Sequence, residues 1–215
     1  MDLFGPQWDD YENKILADWN ARVTAGDLVL IAGDISWAMH MEDTKLDFEY
    51  LAKLNGKKII IRGNHDYWWK SISKIRETVP GCVFALQNDS IKINDIIVAG
   101  TRGWKVPERR QVQKPDDKKI FDREVIRFEL ALKDAQAKAT DGEKIIAMIH
   151  YPPFNATRDS SPFTDLCEKF GVAACVYGHL HGNSVRADSV VEKNGVKYYL
   201  TSTDLIGHKV VEISF

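Results

Sequence analysis

Four short apolar runs, each followed at once by polar residues, constrain this 215-residue sequence most strongly. The runs lie within residues 27–32, 58–61, 144–149 and 172–177. A run rich in Val, Ile and Leu without alternating polar residues is typical of a strand that is buried on both faces. Such strands belong to sheets that helices cover, so the sequence predicts an α/β fold.

Amphipathic helices are predicted around these strands, because apolar side chains recur there every three or four residues. The predicted helices cover residues 9–23, 42–54, 68–79, 120–139 and 163–170. The repeated order of strand, loop and helix favours right-handed crossovers and a largely parallel central sheet. No repeat or low-complexity linker divides the sequence, so residues 1–215 are expected to form a single domain.

Three further regions have different patterns. Short apolar runs within residues 82–99 predict a meander, and residues 100–118, rich in Arg, Lys, Pro and Gly, predict a long surface loop. Runs at 185–191, 196–203 and 210–215 predict an antiparallel set of strands, with Asn194 and Gly195 as a hairpin turn.

The polar residues that follow the four buried runs are the candidate site. Strands that share one direction bring the residues at their carboxyl ends to one edge of a sheet. This placement would gather oxygen and imidazole donors, a mixed set that suits Zn, Mn or Fe. The donors in question are Asp34, Asn64, His65, His150, His179 and His181. For Gly63 to Asp66 alone, a turn stabilised by Asn and Asp side chains is an equally good interpretation.

Composition limits the partners and the compartment. Lys and Arg (29) nearly balance Asp and Glu (31), so the net charge of -2 disfavours nucleic acid as an electrostatic partner. The three cysteines show no CxxC spacing, which favours reduced thiols and a cytoplasmic protein. No apolar run approaches the length that spans a bilayer, and no signal-peptide pattern is present, so neither membrane insertion nor export is expected.

The order of motifs resembles the calcineurin-like metallophosphoesterases over about Asp27 to His208. The motifs are Gly-Asp at 33–34, Gly-Asn-His-Asp at 63–66, a histidine at 150, and Gly-His-Leu-His at 178–181. The resemblance implies a sandwich of two mixed β-sheets flanked by α-helices, in four αββα layers. It also implies a centre with two divalent transition metals, Mn, Fe or Zn.

The resemblance assigns a role to each site residue. Asp34 would bridge both metals, and His181 would belong to the first metal. Asn64, His150 and His179 would complete the second metal site, and His65 would stabilise charge on the substrate or protonate the leaving oxygen. Two metals about 3.5–4 Å apart would clamp the phosphate and activate the attacking water.

Two departures from the family pattern affect this interpretation. The family begins with a strand that ends in Asp-x-His, and no such motif precedes Asp34. We expect that the chain begins downstream of the usual start and lacks this strand. In addition, Trp37 stands where many members carry an Asp that orients the catalytic histidine, so His65 is expected to be positioned through Asp66 or a backbone carbonyl. His65 and Asp66 are therefore the predicted catalytic residues.

Three further residues are candidates for substrate binding. Trp37 and Trp104 could stack on a base or an aromatic leaving group, and Arg102 could reach a phosphate. Packing explains the aromatic residues, and a solvated charge cluster explains the arginine, at least as well. His208, close to Asp204 in the sequence, is a candidate for supporting a metal ligand.

The function predicted from these observations is that of a metal-dependent phosphohydrolase. It would cleave a phosphomonoester or phosphodiester by attack of a metal-activated water, with His65 assisting the leaving group. The substrate would be a phosphorylated small molecule or a nucleotide-like compound. The alternative is a binding scaffold with the same fold, because the first metal would have too few protein ligands for two-metal chemistry.

Overall fold

The computed structural model describes residues 5–140, 142–182, 185 and 187–215. Its strands form two sheets. The small sheet is wholly parallel, with β1 (Leu28–Ile31), β2 (Lys57–Ile61) and β3 (Val83–Leu86) in the order β1-β2-β3. The large sheet contains β4 (Asp89–Ile93), β5 (Ile96–Thr101), β6 (Lys144–Ile149), β7 (Ala174–Tyr177), β8 (Val190–Lys193) and β9 (Val196–Leu200). Its order is β4-β5-β6-β7-β9-β8, with antiparallel pairs at both edges and parallel pairs in the middle.

Helices and short 3₁₀ turns connect the strands. The helices are α1 (Tyr11–Arg22), α2 (Lys45–Lys53), α3 (Ile72–Thr78), α4 (Pro115–Lys138) and α5 (Pro162–Lys169). The 3₁₀ turns are Pro6–Trp8 and Met41–Thr44. None of the helices in the described part of the chain is long and apolar enough to cross a membrane.

The alternation of side chains along the buried strands separates two layers of core. Ile59 and Ile61 of β2 point into the core between the sheets, where they join Ile146 and Met148 of β6. Ile60, between them in sequence, instead packs in the cluster under the helices of the small sheet. This period of two explains the continuous apolar runs, because both faces of each strand are covered.

Helices cover the outer face of each sheet. Phe128 of α4 and Phe163 of α5 pack against the large sheet, and their rings are 5.9 Å apart. On the other side Phe48 of α2 and Trp68 pack against the small sheet, with ring centroids 5.4 Å apart. The layers therefore run helix, sheet, sheet, helix, and the sandwich implied by the family resemblance is confirmed. Of its two sheets only the large one is mixed, because both strand pairs of the small sheet are parallel.

The prediction of one central parallel sheet is wrong, because the four buried runs are divided between two sheets. The predicted meander is also wrong. β3 pairs with β2 in the small sheet, whereas β4 and β5 form a hairpin at the edge of the large sheet. Short runs of similar composition thus enter different sheets, and local composition does not distinguish them.

The C-terminal strand set is only partly present. β8 and β9 form the expected hairpin, but β9 also pairs in parallel with β7. Residues 185, 187–189 and 210–215 are not strands, and residues 183, 184 and 186 lie outside the described part. Residue 210 is instead tied to α1, since its amide donates to Asp18 (2.7 Å) and its carbonyl accepts from Arg22 (2.6 Å). These contacts hold the segment against a helix rather than along a strand.

Two predicted helices have different starting points. The predicted helix at 68–79 begins only at Ile72, because Trp68 and Trp69 are buried in the core before it. The predicted helix at 120–139 begins earlier, at Pro115, where a proline is favourable in the first turn. The predicted loop therefore shortens to residues 102–114.

Candidate metal centre

The loops after β1, β2, β6 and β7 meet where the two sheets adjoin. A buried imidazole joins them, because His150 Nδ1 lies 2.7 Å from the carbonyl oxygen of Ala32 after β1. The backbone of His150 also hydrogen-bonds to the segments that follow the two neighbouring strands, β5 and β7. Its amide donates to Arg102 (3.0 Å) and its carbonyl accepts from Gly178 (3.1 Å). The carboxyl ends of strands from different sheets are thus fixed to one another.

Four donor atoms converge at this junction. Asn64 Oδ1 lies 2.7 Å from His150 Nε2 and 2.7 Å from His179 Nδ1, and these two nitrogens are 3.2 Å apart. Asp34 Oδ2 is 3.5 Å from His150 Nε2. The structure therefore brings together four of the predicted ligands, and Asp34, His150 and His179 each have a ligand atom within 4.8 Å of the others.

The protonation of His150 shows that these donors fit a cation. The carbonyl of Ala32 can only accept, so His150 Nδ1 carries a proton and, in the neutral ring, Nε2 presents a lone pair. Burial lowers the pKa of His150, which favours that neutral ring. The lone pair then faces the oxygens of Asn64 and Asp34. A divalent cation satisfies such a group of acceptors, and Zn, Mn and Fe accept imidazole with oxygen ligands.

His179 has a similar environment. Burial, followed by the neighbouring His150, lowers the pKa of His179 to about 4. Metal ligation requires a neutral imidazole, and this shift makes the neutral form dominant at neutral pH. The ring of Tyr151 packs 4.2 Å from that of His179 and restricts its orientation.

Two glycines allow the loops of Asp34 and Asn64 to approach closely. A Cβ atom at Gly63 would lie 2.0 Å from Asp34 Oδ1, and one at Gly33 would lie 2.6 Å from the amide nitrogen of Gly63. Neither position has space for a side chain. The glycines that precede the candidate ligands are therefore required by the contact between loops, not only by local turns.

Two candidate ligands have left-handed backbone conformations. Asp34 has a φ of 55° and His179 has a φ of 71°. Left-handed conformations are uncommon for residues other than glycine and persist where the surroundings impose them. Two hydrogen bonds to the loop after β2 hold Asp34 in place. Its amide donates to Asp66 (2.8 Å), and its Oδ1 accepts from the amide of His65 (2.8 Å).

Asp66 holds the Asp34 loop in place. Its side chain is fully buried, and its two carboxylate oxygens accept five hydrogen bonds. The donors are the backbone amides of Gly63, Asp34, Ile35 and Ser36 and the indole of Trp68. Burial raises the pKa of Asp66, and the backbone donors partly offset that effect.

The predicted positioning of His65 through Asp66 or a carbonyl differs from the contacts observed. Asp66 is already fully used by backbone and indole donors. His65 Nδ1 instead lies 3.0 Å from the hydroxyl of Tyr67. The indole of Trp37 stacks on a face of the His65 ring, with centroids 5.3 Å apart and planes at 19°. Trp37 was predicted to contact substrate, and here it contacts the histidine while remaining 52% exposed.

His181 lies outside the group of four donors. Its Nδ1 is 2.8 Å from Asp204 Oδ1, and the indole of Trp8 lies 5.9 Å from its ring. A carboxylate on one imidazole nitrogen is a common arrangement in metal-binding histidines, because it orients the other nitrogen. His208, the candidate for supporting a metal ligand, contacts Thr203 and the carbonyl of Gln7.

The other two candidates for substrate binding lie beside Tyr151. Trp104 packs 5.3 Å from the Tyr151 ring, and the Arg102 guanidinium lies 5.0 Å over Trp104. Arg102 also faces the buried carboxylate of Glu124 at 3.5 Å. Its charge is thus partly compensated within the protein, which fits a structural ion pair as well as a phosphate contact.

Sequence reasoning did not predict the contacts that three residues make with the site histidines. Tyr67 and Tyr151 each lie within two positions of a predicted site histidine, and that proximity was the available signal. Asp204 lies in a loop 23 positions after His181, and nothing local in the sequence connects the two.

Comparison with known proteins agrees with this geometry. A family model described as calcineurin-like phosphoesterase matches residues 4–183, which include all the candidate metal ligands. No curated protein matches the chain.

Proposed function

Because the chain belongs to the calcineurin-like phosphoesterase family, we propose that it is a hydrolase that cleaves a phosphomonoester or a phosphodiester with the help of divalent metals. The convergence of Asp34, Asn64, His150 and His179 carries this proposal. Their donor atoms come from four separate loops. Those of Asn64, His150 and His179 lie 2.7–3.2 Å apart, and the ligand atoms of Asp34, His150 and His179 all lie within 4.8 Å of one another.

The four converging residues would hold one metal, and His181 with Asp34 would contribute to a second. A divalent metal at this site supplies Lewis-acid stabilisation of phosphate oxygens and a water of lowered pKa. The chain's own contribution is orientation: Asp204 fixes the ring of His181, and the Ala32 carbonyl fixes that of His150. The identity of the metal, Mn, Fe or Zn, is a separate proposal that the donor set permits.

His65 is the proposed proton donor to the leaving oxygen. The backbone amide of His65 donates to the carboxylate of Asp34. His65 therefore lies beside two candidate metal ligands, Asp34 and its neighbour in sequence, Asn64. The donated proton leaves an imidazole nitrogen and forms the O–H bond of the departing alcohol, which avoids release of an alkoxide. Asp66 acts on this step indirectly, by holding the backbone on which His65 and Asp34 lie.

Further features of the proposal concern the substrate and the surroundings. A phosphorylated small molecule or nucleotide-like compound would reach the centre beside Trp37, with Arg102 and Trp104 as candidate contacts. We propose that residues 1–215 form one domain, because strands of both sheets share one apolar core. A cytoplasmic location remains a prediction from the cysteine pattern.

The direct test measures hydrolysis and metal content together. Purified protein would be loaded with Mn, and turnover of para-nitrophenyl phosphate would be compared with that of bis(para-nitrophenyl) phosphate. We expect turnover of at least one ester, its loss on chelation, and its recovery when metal is restored. No turnover of either ester, together with no bound metal, would instead support the binding scaffold.

A further inference from the structure

We infer that Tyr67 is a positioning residue for His65, holding Nδ1 of the imidazole so that Nε2 is the nitrogen available to the leaving group. The inference rests on the proposed function, because it concerns the same proton transfer. It adds the group that orients the proton donor in a chain where Trp37 stands at the position of the usual orienting carboxylate.

The contacts of the His65 ring carry the inference. The Tyr67 hydroxyl lies 3.0 Å from His65 Nδ1, within hydrogen-bonding distance. The phenol ring stands at 81° to the imidazole, with centroids 6.0 Å apart, so it meets the imidazole edge rather than its surface. In the described part of the chain, this hydroxyl is the side-chain group that hydrogen-bonds to the ring of His65.

The backbone fixes the hydroxyl where the ring needs it. The amide of Tyr67 donates to the carbonyl of His65 at 2.8 Å, which closes a tight turn between the two residues. The amide of His65 donates to Asp34 Oδ1, also at 2.8 Å. The partner hydroxyl and the imidazole are therefore both anchored to the same short segment beside the candidate metal ligands.

Trp37 restricts the remaining freedom of the imidazole. Its indole lies nearly parallel to the ring of His65, at 19° and 5.3 Å between centroids. Stacking on Trp37 limits rotation of the imidazole out of its plane. A half-turn of the ring would keep that plane, and the hydrogen bond to Tyr67 favours the orientation in which Nδ1 faces the hydroxyl. The two contacts together determine the direction in which Nε2 points.

The proton inventory of the step is consistent with this arrangement. In the charged ring both nitrogens carry protons, and Nδ1–H donates to the Tyr67 oxygen. On transfer the Nε2–H bond breaks and the leaving oxygen gains the proton, while its bond to phosphorus breaks and the oxygen of the attacking hydroxide forms a new bond to phosphorus. The ring remains as neutral imidazole with its proton on Nδ1, still donated to Tyr67. The hydroxyl therefore accepts the same hydrogen bond before and after the step.

The test compares two esters that differ in leaving group only. The para-nitrophenyl ester has a good leaving group that needs little protonation, and the unsubstituted phenyl ester has a poorer one. For Tyr67→Phe in the metal-loaded protein, we expect kcat for the phenyl ester to fall about tenfold, a part of the full effect of general acid catalysis. We expect kcat for the nitrophenyl ester to fall less than about twofold.

Two controls show whether the loss of rate in Tyr67→Phe depends on His65. Tyr50→Phe removes a hydroxyl from another tyrosine that is 41% exposed, and it should leave both rates unchanged. In a double-mutant cycle, Tyr67→Phe should cause no further loss once His65→Asn is present, because the tyrosine acts through the histidine. The ring resonances of His65 in zinc-loaded protein should shift in Tyr67→Phe and not in Tyr50→Phe.

The outcomes separate this inference from the proposed function. If His65→Asn slows both esters equally, His65 is not the proton donor and that part of the proposed function is wrong. If His65→Asn shows the leaving-group dependence but Tyr67→Phe matches the original protein on both esters, the inference about Tyr67 is overturned. An equal loss on both esters in Tyr67→Phe would also overturn it, since that result indicates general structural damage.

Discussion

Replacement of Asp66 by alanine tests whether its buried hydrogen bonds hold the loop that carries Asp34. The carboxylate accepts five hydrogen bonds in a fully buried position, four of them from backbone amides. Each buried donor left without an acceptor costs about 1–3 kcal/mol. Water entering the space of the deleted side chain can pair with some donors, so we expect a total loss of about 3–5 kcal/mol rather than the full sum.

Urea unfolding of the metal-free protein measures this loss. Because a small domain has only about 5–15 kcal/mol of stability, Asp66→Ala is expected to lower the urea midpoint strongly. Asp66→Asn keeps the shape and one acceptor oxygen, and its expected loss is about 2 kcal/mol. The milder variant keeps the test informative if the alanine variant does not fold.

Asp47→Ala is the matched control for these variants. Asp47 is exposed in the first turn of α2, so its removal should cost less than about 1 kcal/mol. If Asp66→Ala destabilises the protein no more than Asp47→Ala does, the buried carboxylate does not hold the loop. If Asp66→Ala binds metal as tightly as the original protein, Asp34 does not depend on Asp66.

Two further predictions concern stability away from the metal centre. Glu124→Gln should lower the free energy of unfolding by about 2 kcal/mol, because the buried carboxylate pairs with Arg127 at 2.7 Å and its loss leaves a guanidinium without a full partner. Equal urea midpoints would contradict this. Burial raises the pKa of Tyr198 above its unfolded value of about 10. The folded state then keeps a proton that the unfolded state loses, so the contribution of Tyr198 to stability is constant below about pH 10 and falls as pH rises further. Urea unfolding at alkaline pH should show a shallower fall in Tyr198→Phe, and identical pH profiles would exclude this contribution.

The fold class could be predicted because a strand that is buried on both faces has a continuous apolar sequence. Ile59, Ile60 and Ile61 are consecutive and apolar because alternate side chains enter different cores. The division into two sheets leaves no such trace. Pairing is decided by contacts between distant residues, and a strand such as β3 has the same local pattern whichever sheet it joins.

The candidate ligands could be predicted because each directly follows a buried strand or a glycine. Asp34, Asn64, His150 and His179 meet in the structure as that position suggested. The contacts that orient side chains could not be predicted in the same way. The hydrogen bond that Asp204 accepts from His181 depends on loop conformations that only the folded chain determines.

The position of Asp66 illustrates the same limit within a motif. Sequence alone placed it beside His65 as a catalytic partner, because the two are adjacent. In the fold its carboxylate turns toward the backbone amides of the Asp34 loop. Buried amides require acceptors, and this requirement becomes visible only when the two loops are seen in contact.

Calorimetric titration of zinc into the metal-free protein measures whether the converging donors form a metal site. In the original protein we expect tight binding, which Asn64→Ala and His179→Ala should each weaken at least about tenfold. His40→Ala, which removes an exposed histidine outside the centre, should leave the affinity unchanged. If the Asn64 and His179 variants bind zinc as tightly as the original protein and the His40 variant, these donors do not form the metal centre.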